Sequence, residues 1–225
     1  RMLTGNTLRI GGRQKQMISN TQSFLIVGCG HFGSKAAENL LEKNPRSKIT
    51  VVDKQKKAIK KVSHLPIQTV ICDGRLYLDQ FLSECQPTDY IIPAVPFHLA
   101  FEFILSNLKP FGAKRGKVPL FTGLPNPILG KTGDLYTSLA NFFCPEDCPE
   151  PSRYCTVTGK RRLKPLYQIL KDLSGSFESR VIRSHQLGLG VGGFQAKVVL
   201  GLVKDLKKRR TTGRRSEELR VGKEC

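Results

Sequence analysis

A glycine-rich turn between an apolar segment and a helical segment constrains this fold most strongly. Residues 23–28 (SFLIVG) are a short apolar run, which is typical of a strand buried on both faces. The turn Gly28-Cys29-Gly30-His31-Phe32-Gly33 follows, and a helix is predicted from Ser34 to Lys43. A second predicted strand, 49–52, leads into Asp53, which lies 20 residues after Gly33. This order predicts a strand, a phosphate-binding turn and a helix, followed by a strand that ends in a carboxylate.

The residues of the turn suit a dinucleotide. Gly28 permits a tight turn, Gly30 leaves space for a pyrophosphate and Gly33 lets the helix pack closely on the strand. Asp53 is placed to accept hydrogen bonds from the adenosine ribose, which favours NAD(H) over NADP(H), and Lys54 slightly weakens that preference. The other residues predicted to border the cofactor are those between the glycines, Cys29, His31 and Phe32. The alternative is a domain of the same fold that binds no nucleotide.

The alternation of strands and helices continues along the chain. Helices are predicted at 55–62, 76–85 and 97–108, and strands at 67–72, 90–95 and 118–121. The predicted fold class is α/β, with a doubly wound parallel Rossmann-like sheet over residues 23–122. An irregular, cysteine-containing extension is predicted over 123–214, with a last strand at 179–183, a glycine-rich connector or anion-binding turn at 188–193 and a final helix at 194–208.

The two ends of the chain are not expected to belong to the folded domain. Residues 1–22 are interpreted as a disordered arm or as upstream read-through. Residues 215–225 (RSEELRVGKEC) resemble a translated sequencing adapter, so they are interpreted as a non-native tail.

The net charge of +19 favours anionic ligands such as polyphosphates. The lysines and arginines are spread over several clusters, and basic residues do not alternate with aromatic ones as in RNA-recognition surfaces, so nucleic acid is not an expected partner. No run of about 18 apolar residues predicts a transmembrane helix, and no secretion signal is recognisable. These features predict a cytoplasmic protein.

Two further groups are candidates for chemistry. Cys144, Cys148 and Cys155 share one short segment, and such thiolates can bind zinc or an iron–sulfur cluster. Their spacing is that of neither a ferredoxin nor a zinc ribbon, so three unligated thiols are the alternative.

His98 is predicted to open the helix after the fourth strand, where it is a weak candidate for a general acid or base. A solvated or helix-capping histidine is the other interpretation.

The segments FLIVGCGHFG, ITVVDK, TVICDG and DYIIPAV resemble the N-terminal domain of the TrkA/RCK family, the regulators of potassium conductance and transport. The resemblance covers about residues 23–110. It implies that NAD(H) or an adenine nucleotide binds as a regulatory signal without catalysis. It also implies that Asp53 binds the ribose, and that Asp73 with Gly74 lies near the adenine or ribose. A homodimer or a membrane transporter subunit is the implied partner.

Residues 88–98 (TDYIIPAVPFH) also resemble the fourth strand of saccharopine-dehydrogenase-like enzymes. An NAD-dependent oxidoreductase with a cysteine-bound metal or cluster is therefore the alternative function.

Overall fold

The computed structural model describes residues 21–84, 88–116, 118, 121–149, 151, 153–173 and 179–211. The predicted tail at 215–225 lies outside these residues, as does all but the end of the predicted arm at 1–22.

The six strands of the main sheet come from both ends of the described chain. Four strands run parallel in the order β3-β2-β1-β4, and β8 then pairs antiparallel with β4 and β7 antiparallel with β8. Their bounds are β1 Ser23–Val27, β2 Lys48–Asp53, β3 Gln68–Ile71, β4 Tyr90–Pro93, β7 His185–Gly188 and β8 Val191–Gln195. The predicted α/β fold with a doubly wound sheet is confirmed, although the sheet is mainly rather than wholly parallel.

Helices cover both faces of this sheet. On one face lie α1 and α2; on the other lie α3, α4 and α6. Their bounds are α1 His31–Lys43, α2 Lys56–Ile59, α3 Gly74–Glu84, α4 Leu99–Leu108 and α6 Ala196–Thr211. The predicted final helix is therefore present.

The central strand β1 shows why the apolar run 23–28 is continuous. Phe24 and Ile26 pack under α1, whereas Leu25 and Val27 pack under α3, α4 and α6. A strand with a helical layer on each side buries every side chain, so it has no polar face.

The extension has its own small core. The antiparallel strands β5 (Ile128–Leu129) and β6 (Leu135–Tyr136) and the helix α5 (Leu166–Lys171) surround it. Leu124, Leu166 and Leu170 are its buried residues.

Two sequence predictions for the extension are wrong in detail, and the strand predicted at 118–121 lies partly outside the described residues. Residues 179–183 are not a strand; the strand begins at His185. The glycine-rich segment 188–193 is not a connector before a helix, because it forms the turn of the β7–β8 hairpin and most of β8. Val118 and Phe121 lie outside any strand, and the two residues between them are not described.

Within the described ranges, no helix has both the length and the apolar character needed to cross a bilayer.

Candidate functional site

The first and last glycines of the turn hold the backbone of the site in place. Gly28 has a φ of 100°, which side-chain-bearing residues rarely adopt, and its N–H donates to the Val52 carbonyl at 2.7 Å. A Cβ at Gly28 would overlap the carbonyl oxygen of Ala94, just after β4. A Cβ at Gly33 would overlap the carbonyl oxygen of Gly28. These two glycines therefore let the turn pack against β2, α1 and the exit of β4.

Gly30 differs from both, because it faces open space. It is the residue before α1, and a Cβ placed on it would meet no atom within 4 Å. Among the described residues, no side chain caps this end of the helix. The first amides of a helix lack partners within the helix and carry a positive partial charge, so the space above Gly30 suits an anionic group.

Asp53 points its carboxylate at the turn. Oδ2 accepts a hydrogen bond from the Cys29 amide at 2.7 Å, and Oδ1 accepts one from the Gln55 amide at 2.8 Å. Each carboxylate oxygen has a further lone pair with which to accept from a ligand hydroxyl. Lys54 is exposed beside it and begins a group of exposed lysines, completed by Lys56, Lys57, Lys60 and Lys61.

The residues between the glycines have different surroundings. Cys29 is fully buried and its thiol contacts the Ala58 carbonyl at 3.2 Å; burial, aided by the Asp53 carboxylate, raises the pKa of this thiol. Phe32 is 69% exposed at the start of α1. The exposed ring of His31 reaches Glu146, in the cysteine-containing segment, with Nε2 2.6 Å from Oε1.

Asp73 lies at the same edge of the sheet, two residues after β3. Its Oδ1 accepts a hydrogen bond from the Arg75 amide at 2.9 Å and so caps the start of α3. Burial acts to raise the pKa of Asp73, but hydrogen bonds from Arg75 and Leu76 outweigh it, so the pKa of this carboxyl is lowered. A Cβ on Gly74 would overlap a methyl group of Val27. The two residues thus fit α3 closely onto β1.

His98 immediately precedes α4 and stacks on Tyr136 of β6, with ring centroids 4.6 Å apart. Burial, with a contribution from the Asp134 carboxylate, raises the pKa of Tyr136. Arg115 lies nearby; its guanidinium contacts the Asp134 carboxylate at 2.5 Å and also pairs with Glu102 of α4. This half-buried cluster joins α4 to the β5–β6 hairpin.

Of the three clustered cysteines, Cys148 lies near the segment that contains Cys155. The Cys148 sulfur is 3.6 Å from the hydroxyl of Thr156, the residue after Cys155. None of the three is in a disulfide. Over the described ranges, no three His, Cys, Asp or Glu side chains converge in a way that could hold a metal ion.

The Cys155 sulfur accepts hydrogen bonds from the Thr158 hydroxyl and from the amides of Thr158 and Val157. These bonds lower the pKa of the Cys155 thiol to about 7.

Sequence reasoning missed Glu146, Tyr136, Asp134 and Arg115. Glu146 is 115 positions from its partner His31, and no local pattern connects residues so far apart. Arg115 stands out only as one member of a basic cluster, and its position between two carboxylates depends on the tertiary fold.

Comparison with known families matches both halves of the chain. A model of the TrkA-N domain matches residues 24–82, which confirms the resemblance predicted from the glycine turn. The model of the AF_1314_C family, described as "Uncharacterized protein, C-terminal domain", matches residues 100–225, more than half of the chain. No curated protein matches the sequence.

Proposed function

The chain belongs to the AF_1314_C family and carries a TrkA-N domain, and from this premise we propose that it is a regulatory protein that senses NAD(H). A TrkA-N domain is a Rossmann-type nucleotide-binding module. The observation that carries the proposal is the open space above Gly30, at an uncapped helix start, with the Asp53 carboxylate facing the same turn.

In this proposal the amides at the start of α1 hold the diphosphate and Asp53 accepts from the adenosine ribose. Asp73 and Gly74 border the adenine side, since β2 and β3 are neighbours and Asp53 pairs with Ile71. Bound NAD(H) would supply the adenosine diphosphate portion that these residues would contact. The exposed lysines after Asp53 attract a polyanionic ligand to this edge of the sheet.

The direct test is a fluorescence titration of the full chain with NADH, in parallel with ATP. We expect saturable NADH binding that is lost in Gly30→Val, because a branched side chain there occupies the space proposed for the diphosphate. A Gly30→Val chain that binds NADH as wild type does would refute the proposed site. Tight binding of ATP with no binding of NADH would replace NAD(H) by an adenine nucleotide.

We further propose that this module acts in the cytoplasm on a potassium transporter subunit, either alone or as a homodimer. The support is the TrkA-N match alone. Potassium uptake by cells that express the chain should respond to the Gly30→Val substitution, with expression level as the control. Uptake that is the same with and without the chain would exclude this partner.

An NAD-dependent oxidoreductase is the second candidate, favoured by the half-buried polar cluster around His98 and Tyr136. His98 lies in the loop after β4, and Ala94 of the same loop packs against the glycine turn, where a Cβ on Gly28 would overlap its carbonyl oxygen. An enzyme must position the nicotinamide, so it should bind NADH more tightly than ADP-ribose. A sensor of the adenosine diphosphate portion should bind both ligands equally.

Zinc or an iron–sulfur cluster bound by Cys144, Cys148 and Cys155 stays a prediction. The three thiols do not converge as metal ligands among the described residues. Elemental analysis of the purified chain beside a triple Cys→Ser variant tests it. Equal metal content in the two chains would reject it.

A further inference from the structure

The segment that carries the cysteines lies against the entrance of the glycine turn. Glu146, between Cys144 and Cys148, places its carboxylate 2.6 Å from the ring nitrogen of His31. His31 is the first residue of α1. An acidic side chain from the far half of the chain is therefore paired with the first side chain of the helix whose start the dinucleotide would use.

The backbone of this segment is fixed from its other side. The Glu146 carbonyl oxygen lies so close to Gly190 that a Cβ there would overlap it, and Gly190 has a φ of 64°. Gln186 of β7 donates from Nε2 to the Cys148 carbonyl at 3.0 Å. Residues 145–148 also form a turn, in which the Cys148 amide donates to the Pro145 carbonyl at 3.1 Å.

The hairpin that supports the segment is itself bound to α1. Asn39 donates from Nδ2 to the Leu189 carbonyl at 2.9 Å, and Lys43 donates from Nζ to the Leu187 carbonyl at 2.6 Å. The position of Glu146 is thus set by a continuous series of contacts that begins and ends on the helix of the phosphate-binding turn.

Resting on the dinucleotide site proposed above, we propose that Glu146 is an intramolecular anion that competes with the diphosphate of the ligand. A helix start attracts negative charge, and His31 adds a hydrogen-bond donor or a cation to it. A carboxylate paired with the His31 ring takes up this donor and repels a diphosphate that approaches the helix start. In this proposal the ligand displaces Glu146 and with it the segment 144–148. The conformation of this segment and the occupancy of the dinucleotide site then depend on each other.

The test compares Glu146→Gln with Asp147→Asn in the full chain. Both residues are exposed and adjacent, and each substitution removes one negative charge with little change in shape. Calorimetric titrations use inorganic pyrophosphate and NADH as separate probes. We expect Glu146→Gln to bind both about threefold to tenfold more tightly than wild type, and Asp147→Asn to change the affinities less than twofold.

A second readout follows the segment directly. Amide hydrogen exchange at Cys144, Glu146, Asp147 and Cys148 should rise when pyrophosphate binds to the wild type, whereas a ligand that merely rigidifies the chain would lower it. Thermal melting of the three chains confirms that each is folded.

The affinities of the two variants decide whether Glu146 competes with the ligand. Equal tightening in both variants would mean a general effect of net charge, and weaker binding in Glu146→Gln would mean that Glu146 assists the ligand; either result overturns the proposal. If pyrophosphate binds more tightly to Glu146→Gln but NADH binds to no chain, the competition stands and the NAD(H) assignment fails. If only NADH binds, its affinities for the two variants decide the competition alone; if neither probe binds to any chain, both proposals fail.

Discussion

The three glycines of the turn, Gly28, Gly30 and Gly33, serve two different purposes. Gly28 and Gly33 are required by the fold, since a side chain on either would overlap a carbonyl oxygen. Gly30 is not required by the fold, because its missing side chain leaves space that no described atom fills. Single substitutions can therefore distinguish the two glycines that the backbone requires from the one that faces open space.

Gly33→Ala should lower the free energy of unfolding by about 2 kcal/mol or more, because the added methyl group forces the turn and α1 apart. Gly30→Ala should cost about 1 kcal/mol or less, because the new methyl group meets no atom and alanine is only moderately less favourable than glycine at the residue before a helix. Urea denaturation measures both values. A Gly33→Ala chain as stable as wild type would show that the turn can relax at little cost.

At Cys155 the hydrogen bonds from Thr158 and Val157 predict an unusually reactive thiol at neutral pH. A thiol reacts as its thiolate, and the lowered pKa of about 7 places half of the Cys155 population in that form near neutrality. The rate of alkylation by iodoacetamide in chelator-treated protein should rise with a midpoint near pH 7. Thr158→Val should move the midpoint upwards, towards the ordinary thiol value of 9.0.

Mass spectrometry of the alkylated peptides assigns the rate to each cysteine. Cys155→Ser serves as the control, in which the reaction near pH 7 should disappear. A wild-type midpoint above pH 8 at Cys155 would contradict the prediction.

Among the elements, α4 and the β5–β6 hairpin are bridged by the guanidinium of Arg115. Arg115 pairs with Glu102 of α4 and with Asp134 beside β6, and it lies 4.5 Å above the ring of Phe101. The side chains of Glu102 and Asp134 are only 24% and 11% exposed, so both carboxylates depend on this one cation.

Arg115→Gln should destabilise the chain by about 2 kcal/mol, because it leaves two partly buried carboxylates facing each other without a cation. Lys164→Gln is the matched control, since Lys164 pairs with Asp172 at the exposed surface, where an ion pair contributes less than about 1 kcal/mol. Thermal unfolding of both variants measures the difference. Equal effects would mean that the Arg115 pairs are as well solvated as a surface ion pair.

The first half of the fold could be predicted from the sequence because its signals are local. The apolar run at 23–28, the glycines of the turn and Asp53 all lie within about thirty residues, and each reflects the backbone geometry at its own position. The helix before Asn44 and the strand before Asp53 follow from the same short-range patterns.

The β7–β8 hairpin could not be predicted in this way, because its glycines serve packing between strands. Gly193 lies in β8 where a Cβ would crowd the Ile91 carbonyl oxygen at 2.9 Å and a methyl group of Leu187 at 2.7 Å. A glycine-rich stretch usually indicates a loop, and only the neighbouring strands reveal that close approach is the reason for it. The pairing of His31 with Glu146 could not be predicted either, because the two residues are 115 positions apart and meet only in the tertiary fold.

For the molecule as a whole, the sheet and the larger core are completed by the last described elements. β8 pairs with β4 through Ile91 and Phe194, and α6 packs on α4. Val199, Val203 and Leu206 of α6 share one buried cluster with Phe103 and Ile104 of α4.

A chain that stops after residue 184 should therefore lose cooperative unfolding, because it exposes the edge of β4 and the apolar face of α4. Circular dichroism during urea denaturation should show a broad, shallow transition, against one steep transition for the chain to residue 211. Binding of a hydrophobic dye provides an independent measure of the exposed core. A steep transition in the shorter chain would show that residues 21–184 are stable alone.

The distance along the chain between β4 and β8 has a consequence for synthesis on the ribosome. About a hundred residues must be translated after Tyr90 before its partner Gln195 exists, so the nascent polypeptide carries an open sheet edge and an uncovered apolar helix for most of that time. Such an intermediate is a natural client for chaperones that shield unpaired strands, and slow translation through the glycine-rich hairpin would prolong its exposure to aggregation.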